Sequence, residues 1–486
     1  MRICLATVHT TAAFIPLALL YLKAYLVHRT GVEPDDIAIR EFPRNADPDH
    51  VADTILADNP DVVGLSCYVW NITTFREVVR QIKRARPSVR IVLGGPEVGP
   101  LARRLLQSMP DVNVIVKSEG EIPFSEIITR WRRGEDVDDV NGICFRQGEE
   151  ILETMDAPPL MDLNHLPSPH LGSSAENTAR TICIETQRGC VFRCNFCFYN
   201  KDLSIRNRRF DLERVKSEIA FWLQKDVAEI YLMDPVFNLN AARAKEICRF
   251  IIEHNERRIP FHAEVWAEFF DRELASLMRD ANFQFLEVGL QTTDEATLAA
   301  AERRLKLQKF IDGVGYLKEA GLHYELQLIH GLPGETRASF SRSLNFAISL
   351  DPPDLAVFPL MVLPGTELWR KAEAFGLAFD PSPPYLVRSH QSMDRAEIEY
   401  GRKLADAAHA LSRSRALRLL AREPNVSFSD MVDKWIGGSA ESAVPPLDGA
   451  HVLPFIEAIC AVKEIPSAFY RGFASLEFAD AKHQTH

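Results

Sequence analysis

A chain of 486 residues, 46% hydrophobic and 25% charged, is long enough for two or three domains that each bury a core. Its formal net charge of −11, with no basic tail, argues against nucleic acid as the main partner. No stretch reads as a signal peptide or membrane span (residues 12–26 are apolar but interrupted by Lys23), and nine scattered cysteines fit reduced thiols in the cytoplasm better than a disulfide framework.

Up to about residue 133, the apolar runs "RICLATV", "DIAIREF", "DVVGLSC", "RIVLGG" and "VNVIVKS" read as strands. Amphipathic segments separate them; in "NITTFREVVRQIKRAR" the spacing puts Phe75, Val78, Val79 and Ile82 on one helical face. Five such units predict an α/β domain with a doubly wound parallel sheet, flavodoxin-like or Rossmann-type. Ligands of such sheets sit beyond the carboxyl ends of the strands, here the loops "HTTAAF", "SCYVWN", "GGPEVG" and "SEGE". Residues 134–178, a short hairpin followed by the proline-rich "DAPPLMDLNHLPSPH", read as an interdomain linker. Between 179 and 366 six further strands, "TICIETQRG", "AEIYLMD", "IPFHAEVW", "QFLEVGLQ", "HYELQLIHG" and "LAVFPLMV", alternate with helical segments. They predict a partial (β/α)6 version of the eight-fold barrel, with its chemistry at the carboxyl strand ends. Residues 367–486 read as mainly helical.

Directly after the first barrel strand comes "RGCVFRCNFCFYN", which places Cys190, Cys194 and Cys197 within eight positions. A structural zinc site asks for four protein ligands, and no second pair follows. Disulfide exchange needs only C-x-x-C and leaves Cys190 surplus. A merely structural iron–sulfur cube takes four thiolates, whereas three leave one iron open for a substrate or cofactor atom.

C-x3-C-x2-C at this place, with Phe196 before the third cysteine, resembles the radical S-adenosylmethionine (SAM) superfamily. The resemblance implies that Cys190, Cys194 and Cys197 are the catalytic cysteines and hold a [4Fe–4S] cluster whose fourth iron binds SAM. It also implies SAM contacts from Phe196 and along the later strand ends: Asp234 and Pro235 in "YLMDPVFN", Glu264 in "HAEVWAE", and Glu287 and Gln291 in "EVGLQT". "LIHGLPGET" is similar to the turn that packs against adenine, and Arg303 or Arg304 would pair with the SAM carboxylate.

The first domain lacks both G-x-G-x-x-G and G-x-x-x-x-G-K-[ST], against a dinucleotide or P-loop site. It resembles the cobalamin-binding domains that precede some radical SAM barrels. That likeness implies contacts from Thr10, Ser66, Tyr68, Trp70, Asn71, Gly94, Gly95, Pro96, Glu97, Glu119, Gly120 and Glu121. The D-x-H-x-x-G motif of many cobalamin proteins is missing, so His9 is not expected to bind cobalt; Tyr68, Trp70 and Asn71 would cover the lower face instead.

Together the resemblances imply a cobalamin-dependent radical SAM methyltransferase. It would move a methyl group from SAM, via methylcobalamin, to an unactivated carbon, or phosphorus, of a small-molecule or peptide natural-product intermediate. An external electron donor such as flavodoxin or ferredoxin would serve it, with no nucleic acid or membrane partner. The alternative uses the same cofactors for a rearrangement, cyclisation or ring contraction, or for a polar methyl transfer without hydrogen abstraction. A sensing or binding protein is the third class. A methylthiotransferase would need a second cysteine set in the first domain, which Cys4 and Cys67 do not supply. Tyr199, Glu268, His330 and Tyr385 are candidate bases or substrate anchors, each with a structural role as the alternative.

Overall fold

The computed structural model describes residues 1–11, 13–171, 179–200, 207–437 and 447–480. Strands β1 (Ile3–His9), β2 (Ile37–Pro43), β3 (Val62–Ser66), β4 (Arg90–Gly94) and β5 (Val114–Val116) pair in parallel in the order β2-β1-β3-β4-β5. This flavodoxin-like order places the topological switch between β1 and β3. Helices α1 (Leu17–Thr30), α2 (Pro48–Ala57), α3 (Ile72–Ala85), α4 (Ala102–Ser108) and α5 (Glu121–Arg133) cover the sheet. One face packs Val63, Leu65, Phe75 and Val78, the other Leu5, Leu19, Phe124 and Ile127. The predicted face of α3 is the buried one.

The hairpin read as part of the linker belongs instead to this sheet. β6 (Ile143–Gln147) and β7 (Glu150–Glu153) add antiparallel to β5 and make seven strands. Ile143, Cys144 and Phe145 are buried there, and an otherwise open edge is covered.

The second sheet begins at β8 (Thr181–Ile184). A two-residue ladder, β9 (Gln187–Arg188) with β10 (Arg208–Arg209), follows it. The sheet continues with β11 (Glu229–Leu232), β12 (Phe261–Val265), β13 (Phe283–Gln291), β14 (Tyr324–His330) and β15 (Asp354–Pro359), all parallel and neighbours in chain order. Helices α6 (Leu212–Leu223), α7 (Ala241–His254), α8 (Arg272–Asp280), α9 (Glu295–Ala300), α10 (Leu307–Ala320) and α11 (Arg337–Ser349) make it a partial barrel of six units. Along β13 Leu286, Val288 and Leu290 are buried against helices, while Phe285, Glu287, Gly289 and Gln291 alternate with them and line the lumen.

Both open edges of the barrel are closed by other parts of the chain. At β8 the segment after β1 adds a short parallel pairing: Phe14 bridges Thr181, whose N–H donates to the Ala13 carbonyl at 2.8 Å. At β15, α12 (Glu367–Arg370) leads to a region read as mainly helical that also holds a small hairpin, β16 (Ala378–Phe379) with β17 (Val387–Ser389). Helix α13 (Arg395–Ser412) lies on β15, with His409 Nδ1 2.7 Å from the Leu355 carbonyl oxygen. Helices α14 (Arg415–Leu420), α15 (Phe428–Trp435), α16 (Gly449–Lys463) and α17 (Ala468–Asp480) complete the chain; Leu411, Phe428, Val432 and Ile456 join the barrel's core. No helix among the described residues is long and apolar enough to cross a membrane.

Candidate functional site

The three cysteines lie between β9 and β10, where Arg188 and Arg208 face each other across the ladder and clasp the base of the loop. Asp234, fully buried, fixes the approach to it. Its carboxylate accepts from the N–H of Thr186 (2.7 Å) and Gln187 (3.1 Å) and from the Thr186 hydroxyl (2.5 Å). Burial pushes this acid up to about 7 against those bonds. Within the loop the Cys197 N–H donates to the Cys194 carbonyl. Asn195 anchors it to the segment after α9, with its N–H 3.0 Å from the Ala301 carbonyl and Nδ2 2.6 Å from that of Ala300. Burial pushes the Cys197 thiol up to about 12 and also raises Cys190, and each of these thiols feels Cys194.

Arg303 is the cation at this site. Its Nη1 lies 3.6 Å from Cys194 Sγ, its Nη2 donates to the Gly289 carbonyl at 2.5 Å, and it stacks over Trp266 at 4.2 Å. Trp266 in turn stacks on Phe192 of the cysteine loop, centroids 3.8 Å apart. Arg304 is exposed, so Arg303 is the member of the pair that reaches the cysteines. Gln291 adopts a left-handed backbone (φ 69°), and its Oε1 is buried without a partner among the described residues, as is Arg303 Nε. Phe196 packs with the apolar cluster around Leu332 and Leu360, and Pro235 is half-buried at the end of β11.

Glu264 and Glu287 are register partners across β12 and β13, each already in a hydrogen-bonded chain. The Tyr231 hydroxyl donates to Glu264 at 2.9 Å; Glu287 meets His262 at 3.0 Å and Gln327 Nε2 at 2.7 Å. Burial, with the charge of Glu287, raises Glu264 to about 7. Burial also acts on Glu287, but the bonds from His262 and Gln327 outweigh it and hold that acid low. Tyr231, His262 and Gln327 were not singled out from sequence, although each keeps the inward parity of its strand.

In the first domain Gly94, Gly95 and Pro96 form a partly open loop after β4, with Gly95 at φ 112°. Ser66 is buried and hydrogen-bonds the Tyr68 side chain; Thr10 is exposed. Tyr68 stacks on Trp70 at 4.4 Å. Asn71 is engaged structurally: fully buried, it donates to the carbonyls of Val8 and Ser66 and accepts from the Tyr68 N–H, so its amide ties β1 to β3. The Trp70 indole N–H also donates to Val8. His9 pairs with Glu41 at 2.8 Å, and Arg180 beside β8 holds the same carboxylate.

The acids predicted to line the ligand loops are bound across the domain boundary. Glu119 receives both Nη atoms of Arg208, at 2.9 and 2.6 Å; Arg188 reaches Glu121 at 2.8 Å and Glu185 at 2.9 Å. Glu97, 4% exposed, accepts from the Tyr385 hydroxyl at 2.5 Å. Their side chains therefore lock the two domains together. Arg188 and Arg208 were missed from sequence; the only cue was an arginine two residues before the first cysteine. Of the four candidate bases, Tyr199 is 51% exposed, while Glu268 accepts from the Trp266 indole and the Lys306 N–H. His330, 1% exposed, sits 2.9 Å from Glu335 and donates to the Ile398 carbonyl of α13. Tyr385 is the Glu97 partner, so of the four only Tyr199 shows no side-chain hydrogen bond among the described residues.

The site suits an open-iron cluster. Three buried or half-buried thiols influence one another, a guanidinium lies against the middle one, and two buried polar atoms beside it lack a protein partner. Among the described residues no group of three or more His, Cys, Asp or Glu side chains is arranged to hold a single metal ion.

Comparison with known proteins identifies the two domains. The radical SAM superfamily model matches residues 184–347, and the B12 binding domain model matches residues 3–128. The cobalamin-dependent radical SAM methyltransferase TokK of Streptomyces tokunonensis is 29% identical over 360 residues, 70% of this chain and 52% of that protein. The 2-(S-pantetheinyl)-carbapenam-3-carboxylate methyltransferase of Streptantibioticus cattleyicolor is 28% identical over 361 residues, 70% of this chain and 53% of that protein. The chain thus spans about half the length of either relative. In fold it is similar to the radical SAM methyltransferase TsrM from Kitasatospora setae, with a TM-score of 0.66, 19% identity and 82% of each chain covered. With a B12-binding sheet and a radical SAM barrel matched in that order on one chain, the protein belongs to the cobalamin-dependent radical SAM enzyme family.

Proposed function

We propose that this protein is a methyltransferase that delivers a methyl group from SAM, by way of cobalamin, to an unactivated carbon of a small-molecule intermediate. The observation that carries the reading is the ion-pair clasp of Glu119 and Glu121 with Arg188 and Arg208, which ties the loop after β5 of the first sheet to the base of the cysteine loop. Two cofactors held at those loops would meet between the sheet and the barrel. When bound, the cluster and SAM supply a hydrogen-abstracting radical, and cobalamin supplies the methyl group.

The chain's own residues hold and shield these groups. Cys190, Cys194 and Cys197 would ligate the cluster; Arg303 sets a fixed positive charge beside Cys194, and the Phe192–Trp266 stack keeps water from that side. Gln291 Oε1, buried without a partner among the described residues, and the half-buried Pro235 would contact SAM. Gly94, Gly95 and Gly120 would let backbone approach cobalamin closely, with Tyr68 and Trp70 as an aromatic face above β3. A low-potential protein would donate the electron. Nine free cysteines support a reducing, cytoplasmic setting.

The test uses SAM carrying a labelled methyl group under strictly anaerobic conditions. Label should enter product, accompanied by S-adenosylhomocysteine and at least as much 5′-deoxyadenosine. A product formed without S-adenosylhomocysteine would replace this reading with a rearrangement or cyclisation.

A further inference from the structure

We propose that a small acidic one-electron carrier protein docks on the outer face of the cysteine loop, over Arg193, Arg304, Lys306 and Lys309. The inference rests on the reading of the triad as the seat of a reducible cluster, and it adds where the electron enters.

On one side the first domain is clasped against the base of the cysteine loop through Glu119–Arg208 and Glu121–Arg188. The outer side is different. Arg193, Arg304, Lys306 and Lys309 are all exposed, and none has a side-chain partner among the described residues. Neighbouring cations are neutralised: Lys371 pairs with Glu302 at 2.8 Å, and Lys245 with Asp271 and Glu273 at 2.7 Å. In a chain of net charge −11, an unpaired basic patch here runs against the overall field and would draw in a partner of opposite sign. Two apolar side chains break the charge: Val191 is 54% and Leu307 45% exposed. A small apolar centre with a charged rim suits a weak, quickly exchanging redox encounter.

The patch lies one layer of side chains from the triad. Arg193 precedes Cys194, and Arg304 follows Arg303, whose guanidinium lies against Cys194 Sγ. The Lys306 N–H and the Trp266 indole share one oxygen of Glu268, each at 3.1 Å, and Trp266 contacts both Arg303 and Phe192. An electron leaving the carrier needs to cross only this layer. The carrier is oxidised by one electron, the cluster is reduced by one, and no bond is made or broken.

Lys306→Glu/Lys309→Glu tests the surface without touching the cysteines or Arg303. Cluster reduction is followed by stopped-flow absorbance in the reconstituted protein, with photoreduced flavodoxin as the acidic donor and the uncharged deazaflavin radical as the small control. Flavodoxin affinity is measured by calorimetry. At low ionic strength the double variant should lose about tenfold or more in both flavodoxin-driven rate and affinity, with the deazaflavin rate unchanged. Salt should slow the wild type toward the variant. Equal flavodoxin rates in the two proteins would overturn the proposal. So would a parallel loss with deazaflavin, which would assign the lysines to the cluster itself. Absence of methylated product with either reductant would instead sink the proposed function, and the two reduction rates would still decide the docking.

Discussion

Replacing Arg208 with alanine would remove the centre of the clasp between the two sheets. Its side chain is 5% exposed, gives both Nη atoms to Glu119, and donates from Nη1 to the Leu160 carbonyl at 2.8 Å. Breaking a fully buried pair from one side costs about 3–5 kcal/mol. Glu119 keeps 32% of its side chain exposed and retains Arg188 at 3.7 Å, so solvent and the second guanidinium reduce the loss to about 2 kcal/mol. The assay is urea unfolding of Arg208→Ala, Glu119→Ala and the double variant, with a coupling energy of about 1–2 kcal/mol expected from the cycle. The pH dependence gives a second reading. Burial raises the Glu119 carboxyl, but the Arg208 hydrogen bonds and the charges of Arg188 and Arg208 outweigh it and hold it below its ordinary 4.5. A carboxylate held low in the fold contributes its full stability above 4.5 and loses it as pH falls through the lower, folded value. Arg208→Ala should therefore flatten the acid limb of the stability curve. Additive single variants, or an unchanged acid limb, would refute the clasp.

Anaerobic reconstitution should load about four irons and four sulfides per chain, and Cys190→Ala, Cys194→Ala or Cys197→Ala should each abolish this while Cys183→Ser does not; a required fourth cysteine would exclude an open-iron cluster. Gly94→Ala separates ligand from fold: the added methyl meets nothing closer than Val116 Cβ at 3.9 Å, so the apoprotein should unfold as wild type does, yet cobalamin occupancy should fall at least about tenfold if the cofactor passes over this backbone. Gly95→Ala, by contrast, drives Cβ to 2.4 Å from the Cys67 carbonyl oxygen at a φ of 112° and should cost about 1–3 kcal/mol with or without ligand.

Local chemistry made much of this protein legible from its sequence. Period-two and period-3.6 patterns mark the strands and helices, because each element must bury one face regardless of what covers it. Three thiols at C-x3-C-x2-C read as candidate cluster ligands because they lie on one short loop and need no distant partner. The hairpin Ile143–Gln147 and Glu150–Glu153 was misplaced because its pattern says that it is a hairpin and not which edge it caps. What only the tertiary structure decided is the use of the charged residues. Glu97, Glu119 and Glu121 sit in the ligand loops as expected, but their side chains are claimed by Tyr385, Arg208 and Arg188, partners far away in the chain and across the domain boundary for all three. Asn71 reads as a loop-end contact, yet its buried amide must satisfy the Val8 and Ser66 carbonyls. A polar side chain's type states which bonds it must make. Which atoms complete them depends on what the fold brings within about 3 Å.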